Sequence, residues 1–203
     1  FMAGYGNTWS NGKSVYMQLK QDVDGHDLDP TDPDNWTVPT PIYRNDASLL
    51  NGNKQLAATA SGGVGMSLDM TYFQDADGRS YYAWQQLGAT YIATLHPKDP
   101  AHVTSSPVRI VTPEYAWNAA IAEGPNVTLR DGKLYLMFSG SGVGKTYTTG
   151  LAVADASGTD LTDPASWTVL NYPIQKSGPF NGEMQLGTGH GMHIYRFSQQ
   201  QIP

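Results

Sequence analysis

Asp131-Gly132-Lys133-Leu134-Tyr135-Leu136-Met137-Phe138 is the stretch that decides the fold. An Asp-Gly pair followed by an aliphatic and aromatic run is a strong hairpin signal, because a type I′ turn needs positive φ at both central residues and the run favours extended backbone. The same device recurs as Asp77-Gly78-Arg79 before Ser80-Tyr81-Tyr82-Ala83-Trp84, and as Asn11-Gly12-Lys13 before Ser14-Val15-Tyr16-Met17. A second mark keeps step with the first. Asp32-Pro33-Asp34-Asn35-Trp36-Thr37-Val38 matches Asp163-Pro164-Ala165-Ser166-Trp167-Thr168-Val169, and Asp99-Pro100-Ala101-His102-Val103 is a weaker copy between them. These copies start 67 and 64 residues apart. Pro after Asp ends one element, and the Trp or Val opens a new strand. A repeat of this length, with several strands and no helical periodicity, fits a four-stranded propeller blade and is too long for a leucine-rich or ankyrin unit. Glu114 to Ala122, beside Pro113 and Pro125, reads as loop. The expected fold is therefore all-β, a β-propeller. An open β-sandwich is the weaker alternative, since it leaves the coincidence of two marks unexplained.

Composition narrows the function. The 203 residues hold 12 Lys+Arg and 18 Asp+Glu, for a net charge of −6. That field repels phosphate backbones, so no nucleic-acid partner is expected. No Cys is present, which removes disulfides and thiolate metal sites. No apolar run approaches the roughly 18 residues of a membrane span, so no membrane partner is expected either. The three marks cover about three to four blades, whereas propellers close with about four to eight. Residues 1–203 are accordingly expected to be part of a propeller. Its N- and C-terminal parts would come from the rest of the chain or from another copy.

Propeller function sits in the central funnel, where loops from several blades converge. Three segments could place chemistry there. In Ala122-Glu123-Gly124-Pro125 the Gly-Pro pair fixes the backbone behind a carboxylate; the plain alternative is a solvated Glu before a turn. Asp69, inside the apolar strand start Leu68-Asp69-Met70-Thr71-Tyr72-Phe73, needs a partner or a role if buried, or else caps a turn. In Gly187-Thr188-Gly189-His190-Gly191-Met192-His193 the glycines let backbone approach His190 closely, and His193 lies on the same side of a strand. Gly140-Ser141-Gly142-Val143-Gly144-Lys145-Thr146 lacks the spacing of a phosphate loop and no helix follows it, so that reading is rejected.

In this order, the three segments resemble glycoside hydrolase family 43, five-bladed β-propellers acting mainly on arabinose- and xylose-containing polysaccharides. Leu68 to Tyr81 is similar to the family's Asp-x-Thr-x-Phe-x-Asp-x-Asp-Gly-x-x-Tyr motif, Ala122 to Pro125 to its Glu-Gly-Pro motif, and Gly187 to Gly191 to its Gly-Pro-Gly-His segment, with Thr188 in place of Pro. The resemblance implies an inverting glycoside hydrolase, most like an α-L-arabinofuranosidase and secreted from a bacterium. A β-xylosidase, a galactan-active member and a non-catalytic carbohydrate-binding propeller are the alternatives. It implies Glu123 as general acid and Asp69 as the residue that orients it and tunes its proton affinity. His190 would stand at the funnel centre as a substrate-binding residue and beside a structural calcium. Trp84, Trp117 and Tyr115 are candidates for stacking on sugar rings, or else core residues. The family's general base, an Asp of the first blade, has no convincing counterpart here, since Asp22, Asp24, Asp27 and Asp29 lie in a polar loop after the first strand.

Overall fold

In the computed structural model the described residues are 2–5, 13–48, 50, 67–96 and 98–192. Among them the architecture is all-β and propeller-like, built of curled antiparallel sheets, and helix is confined to three single 3₁₀ turns. The first sheet joins β1 (Met2–Tyr5), β2 (Lys13–Tyr16) and β3 (Thr40–Pro41). The second runs β4 (Leu68–Gln74), β5 (Ser80–Gln86) and β6 (Ala89–His96), and β6 then pairs with both β7 (Asp99–Val103) and β8 (Val108–Val111). The third orders β9 (Ala122–Arg130), β10 (Lys133–Gly140), β11 (Thr148–Asp155) and β12 (Thr168–Val169) from one edge to the other. A short hairpin, β13 (Gly178–Phe180) and β14 (Glu183–Gln185), follows. Strands β4 and β9 pack beside each other, so neighbouring sheets meet along their first strands.

The Asp-Pro repeat is the same object twice. Asp32 and Asp163 each accept the N–H two residues on and cap a 3₁₀ turn opened by Pro. Trp36 donates its indole N–H to Pro30 O at 3.0 Å, and Trp167 donates to Leu161 O at 2.9 Å, in both cases six residues back. Asp29 and Asp160, three residues before each cap, accept the N–H and hydroxyl of Thr31 and Thr162. These bonds favour the charged carboxylates and hold both below the ordinary Asp range. Trp36 bridges to Leu19 just beyond β2, as Thr168–Val169 pairs with β11.

That pairing also corrects the first repeat. It puts β2 in the place of β11, whereas Asp77-Gly78 and Asp131-Gly132 precede β5 and β10, the second strands of their sheets. β2 thus stands at a different step of the meander from β5 and β10, and Asn11 and Gly12 lie outside the described residues. The other two turns differ in kind. Asp131 and Gly132 both have positive φ, the pattern of type I′, but in the second turn only Gly78 does.

The second sheet is covered on both faces at β5, every residue of which is buried. One face packs Phe73, Tyr81 and Ile92 against Leu134, Leu136, Phe138 and Trp167 of the third sheet. The other packs Met70, Tyr82 and Trp84 with Ile42 and Leu50. At the hairpin end, Asp75 accepts Arg79 Nε at 2.7 Å, and Arg79 Nη2 reaches Thr159 O at 2.7 Å. Asp77 accepts the Gly158 N–H at 2.9 Å. The hairpin between β4 and β5 is thereby clamped to the third sheet. Trp167 is 6 % exposed, whereas Trp36 is only partly buried in the equivalent turn. Trp167→Ala is therefore expected to destabilise the intact protein by about 3–5 kcal/mol and Trp36→Ala by clearly less, read as midpoints of denaturant unfolding. Equal costs would contradict the packing difference.

Candidate active site

Two irregularities in neighbouring strands build the site. In β4 the register against β5 slips between Leu68 and Thr71, and Asp69 has a φ of 55°. Asp tolerates this left-handed region better than most residues. The bulge turns Asp69 off its own ladder, and Oδ2 accepts the Gly124 N–H at 3.2 Å. A strand-start Asp suggests burial, but the residue is exposed, and its partner is a backbone donor on β9.

In β9, Gly124 has a φ of 59°, and the β9–β10 pairing shifts between Met137 and Ser139, which leaves Ser139 opposite Glu123. Glu123 is 4 % exposed. Tyr147 donates its hydroxyl to Glu123 Oε1, and the same hydroxyl lies 3.2 Å from His190 Nδ1. The His190 N–H donates to Ser139 Oγ at 2.5 Å. Burial, reinforced by the bond to Glu123, pushes the Tyr147 hydroxyl well above the ordinary tyrosine range. At neutral pH that hydroxyl keeps its proton and acts as a donor.

Small residues make the cluster possible. A Cβ at Gly189 would fall 2.4 Å from the Tyr147 ring, and one at Gly124 would fall 3.2 Å from the His190 ring. Thr188 donates its N–H to Tyr147 O at 3.0 Å and receives the Thr149 hydroxyl on its own carbonyl at 2.5 Å. A Pro at 188 would lack the first of these donors.

Asp69, Glu123 and His190, far apart in sequence, thus share one cluster with Tyr147 at its centre. Tyr147 escapes the sequence reading because its only local signals are a glycine-rich loop and a strand start. His193 lies outside the described residues. Trp84 is corrected to a core residue: it is 0 % exposed, bonds Gln86 Oε1 at 3.1 Å and stacks on Tyr91, so neither face is open to a sugar. Tyr115 and Trp117 are half-buried and stacked at 6.1 Å, and Trp117 also packs on Phe138. Tyr16, Tyr72 and Tyr82 line a cavity of about 570 Å³ between β2 and β4–β5.

A calcium ion takes 6–8 oxygen ligands. Among the described residues, the one group of three or more carboxylate or imidazole ligand atoms close enough to share an ion is Asp22, Asp24 and His26, exposed on the hairpin after β2. His190 is not in that group.

Residues 52–200 match the model of glycosyl hydrolases family 43. The chain is 33% identical over 135 residues to the extracellular exo-α-(1→5)-L-arabinofuranosidase of Streptomyces chartreusis, covering 61% of this chain and 39% of that protein. It is equally identical over 135 residues to α-L-arabinofuranosidase 43 of Humicola insolens, covering 61% and 27%. The chain therefore spans well under half the length of these curated relatives. Among solved structures, an α-L-arabinofuranosidase from Lactobacillus brevis aligns with a TM-score of 0.62 at 24% identity, over 91% of this chain and 58% of that one. A xylan β-1,4-xylosidase from Bacillus halodurans C-125 aligns at 0.54 and 16%, over 97% and 32%. These two likenesses speak to the fold alone.

No helix among the described residues is long and apolar enough to cross a membrane. Gly189→Ala is expected to lower stability by about 1–3 kcal/mol through overpacking against Tyr147. Gly191→Ala is the control, since among the described residues its Cβ would meet only Met137 Cε at 3.7 Å; it should stay within about 0.5 kcal/mol. Equal melting temperatures for the two variants would contradict the close approach at Gly189.

Proposed function

The chain belongs to glycosyl hydrolases family 43, and on that footing we propose that the intact protein is a secreted, inverting glycosidase that removes arabinose from plant polysaccharides, with Glu123 as its general acid. One observation carries the assignment. A carboxyl group 4 % exposed sits where two sheets meet, held by a tyrosine hydroxyl and one residue from the N–H that Asp69 accepts. Water is largely excluded from Glu123, so its proton can pass to a bound glycosidic oxygen rather than to solvent. As the C–O bond breaks, the leaving sugar takes that proton and the carboxyl becomes a carboxylate. Asp69 is the positioning residue: through Gly124 it fixes the backbone on which Glu123 rides.

Inversion needs a second carboxylate, about 6.5–9.5 Å from the acid, to activate water on the opposite face of the ring. We assign that base to the rest of the intact protein, of which residues 1–203 form part of the catalytic propeller. Calcium beside His190 would be structural, and no step is routed through it. Arabinose is favoured over xylose because the curated relatives at about a third identity are named arabinofuranosidases. Secretion is supported by two of them, both from Streptomyces, being named extracellular.

Glu123→Gln in the intact protein is expected to lower kcat on unactivated arabino-oligosaccharides by about 10²–10⁴-fold. Nitrophenyl arabinoside, whose leaving group needs little protonation, should lose far less. Steady-state rates on the two substrates test this, and equal wild-type and variant rates on the unactivated substrate would refute the acid assignment.

A further inference from the structure

We infer that Tyr147 is a second positioning residue, which selects which oxygen of Glu123 delivers the proton and which tautomer His190 adopts. The inference rests on Glu123 being the acid. A tyrosine hydroxyl has one proton to give and lone pairs to receive with. That single proton is committed to Glu123 Oε1. The 3.2 Å contact between the Tyr147 oxygen and His190 Nδ1 is then a hydrogen bond only if Nδ1 carries a hydrogen and donates. Neutral His190 is consequently the Nδ1–H tautomer, with Nε2 left as an acceptor.

The same logic applies to the carboxyl. Oε1 accepts from Tyr147, so the acid's own proton resides on Oε2, and Oε2 is the oxygen that meets the glycosidic oxygen. In the step itself the Oε2–H bond breaks, the proton forms a bond to the leaving oxygen, and its electron pair stays on Glu123. The Tyr147 proton does not transfer. Its bond to Oε1 instead changes from neutral to charge-assisted as the carboxylate develops, and such bonds are roughly twice as strong. Tyr147 therefore contributes more to the transition state than to the bound substrate, which is the condition for raising kcat.

The surroundings hold the hydroxyl in place. Tyr147 N–H donates to Gly144 O at 3.1 Å, and its carbonyl receives the Thr188 N–H at 3.0 Å. The ring passes over Gly189, where a Cβ would be 2.4 Å away. The titratable groups facing it are Glu123 on β9, Asp69 on β4 and His190 after β14.

The test uses the intact protein with two substrates, an unactivated arabino-oligosaccharide and nitrophenyl arabinoside. Tyr147→Phe is expected to lower kcat on the first by about 10–10²-fold, the equivalent of losing one charge-assisted bond. KM should stay within about twofold, and the loss on the nitrophenyl substrate should be smaller. An equal loss on both substrates, or a change confined to KM, would overturn the inference. Unchanged kcat in Tyr147→Phe alongside an inactive Glu123→Gln would refute the role of Tyr147 while leaving the acid in place. Full activity of Glu123→Gln would instead remove the acid assignment, and this inference with it. Nitrogen-15 NMR of His190 in the unmutated protein needs no variant to fold: a protonated Nδ1 supports the network, and an unprotonated Nδ1 overturns it.

Discussion

The hydrogen bond from Gly124 N–H to Asp69 Oδ2 is the constraint around which the rest of the structure is arranged. For it to form, a donor on β9 must leave its own ladder and a carboxylate on β4 must leave its own. Both strands depart from regularity at that point. Asp69 and Gly124 have φ values of 55° and 59°, and register shifts flank both positions. A left-handed non-glycine residue costs on the order of 1–3 kcal/mol and persists only where its surroundings over-determine it. Bulges re-aim side chains next to functional sites, and here the re-aimed chain is Asp69 while Glu123 sits buried beside it. The irregular backbone at Asp69 and Gly124 thus lies directly beside the buried carboxyl of Glu123.

The opposite ends of the same strands supply the rigidity that such a site requires. Beyond Gln74 the chain enters a turn whose Asp75 carboxylate receives Asp77 N–H, Arg79 N–H, Arg79 Nε and the Tyr81 hydroxyl. Asp75 is 1% exposed at its side chain, so a missing partner there would leave a buried charge exposed to the full desolvation penalty. The clamp to Gly158 and Thr159 and the core of Phe73, Tyr81, Leu136 and Trp167 fix the second sheet against the third. With that end locked, the angle between β4 and β9 at the other end is set, and the Asp69 to Gly124 contact follows from it.

Local chemistry was legible in the sequence, and long-range chemistry was not. The Asp-Pro-x-x-Trp turn satisfies itself locally, so Asp32 to Trp36 and Asp163 to Trp167 announce it directly, while the added caps of Asp29 and Asp160 emerge only from the structure. Asp131-Gly132 was equally readable. The hairpin at Leu87-Gly88 was not, although both residues have positive φ, because Leu is a poor left-handed residue and gives no turn signal. The ordered trio of Asp69, Glu123 and His190 could be found, and their gathering into one cluster follows from the fold. Their environments could not be read. Asp69 is exposed where an apolar neighbourhood implied burial, because a bulge breaks the alternation on which that inference depends. Trp84 is core because β5 is covered on both faces, a property of its neighbours. Tyr147 gains its place from contacts 24 and 43 residues away.

The most direct measurement is a crystal structure of the intact protein, as an inactive variant, with an arabino-oligosaccharide bound across the cleavage point. The glycosidic oxygen is expected within about 2.6–3.2 Å of the residue 123 side chain, on the oxygen that Tyr147 does not bond. A sugar seated elsewhere, or a different carboxylate at the glycosidic oxygen, would contradict the assignment of this cluster as the catalytic centre.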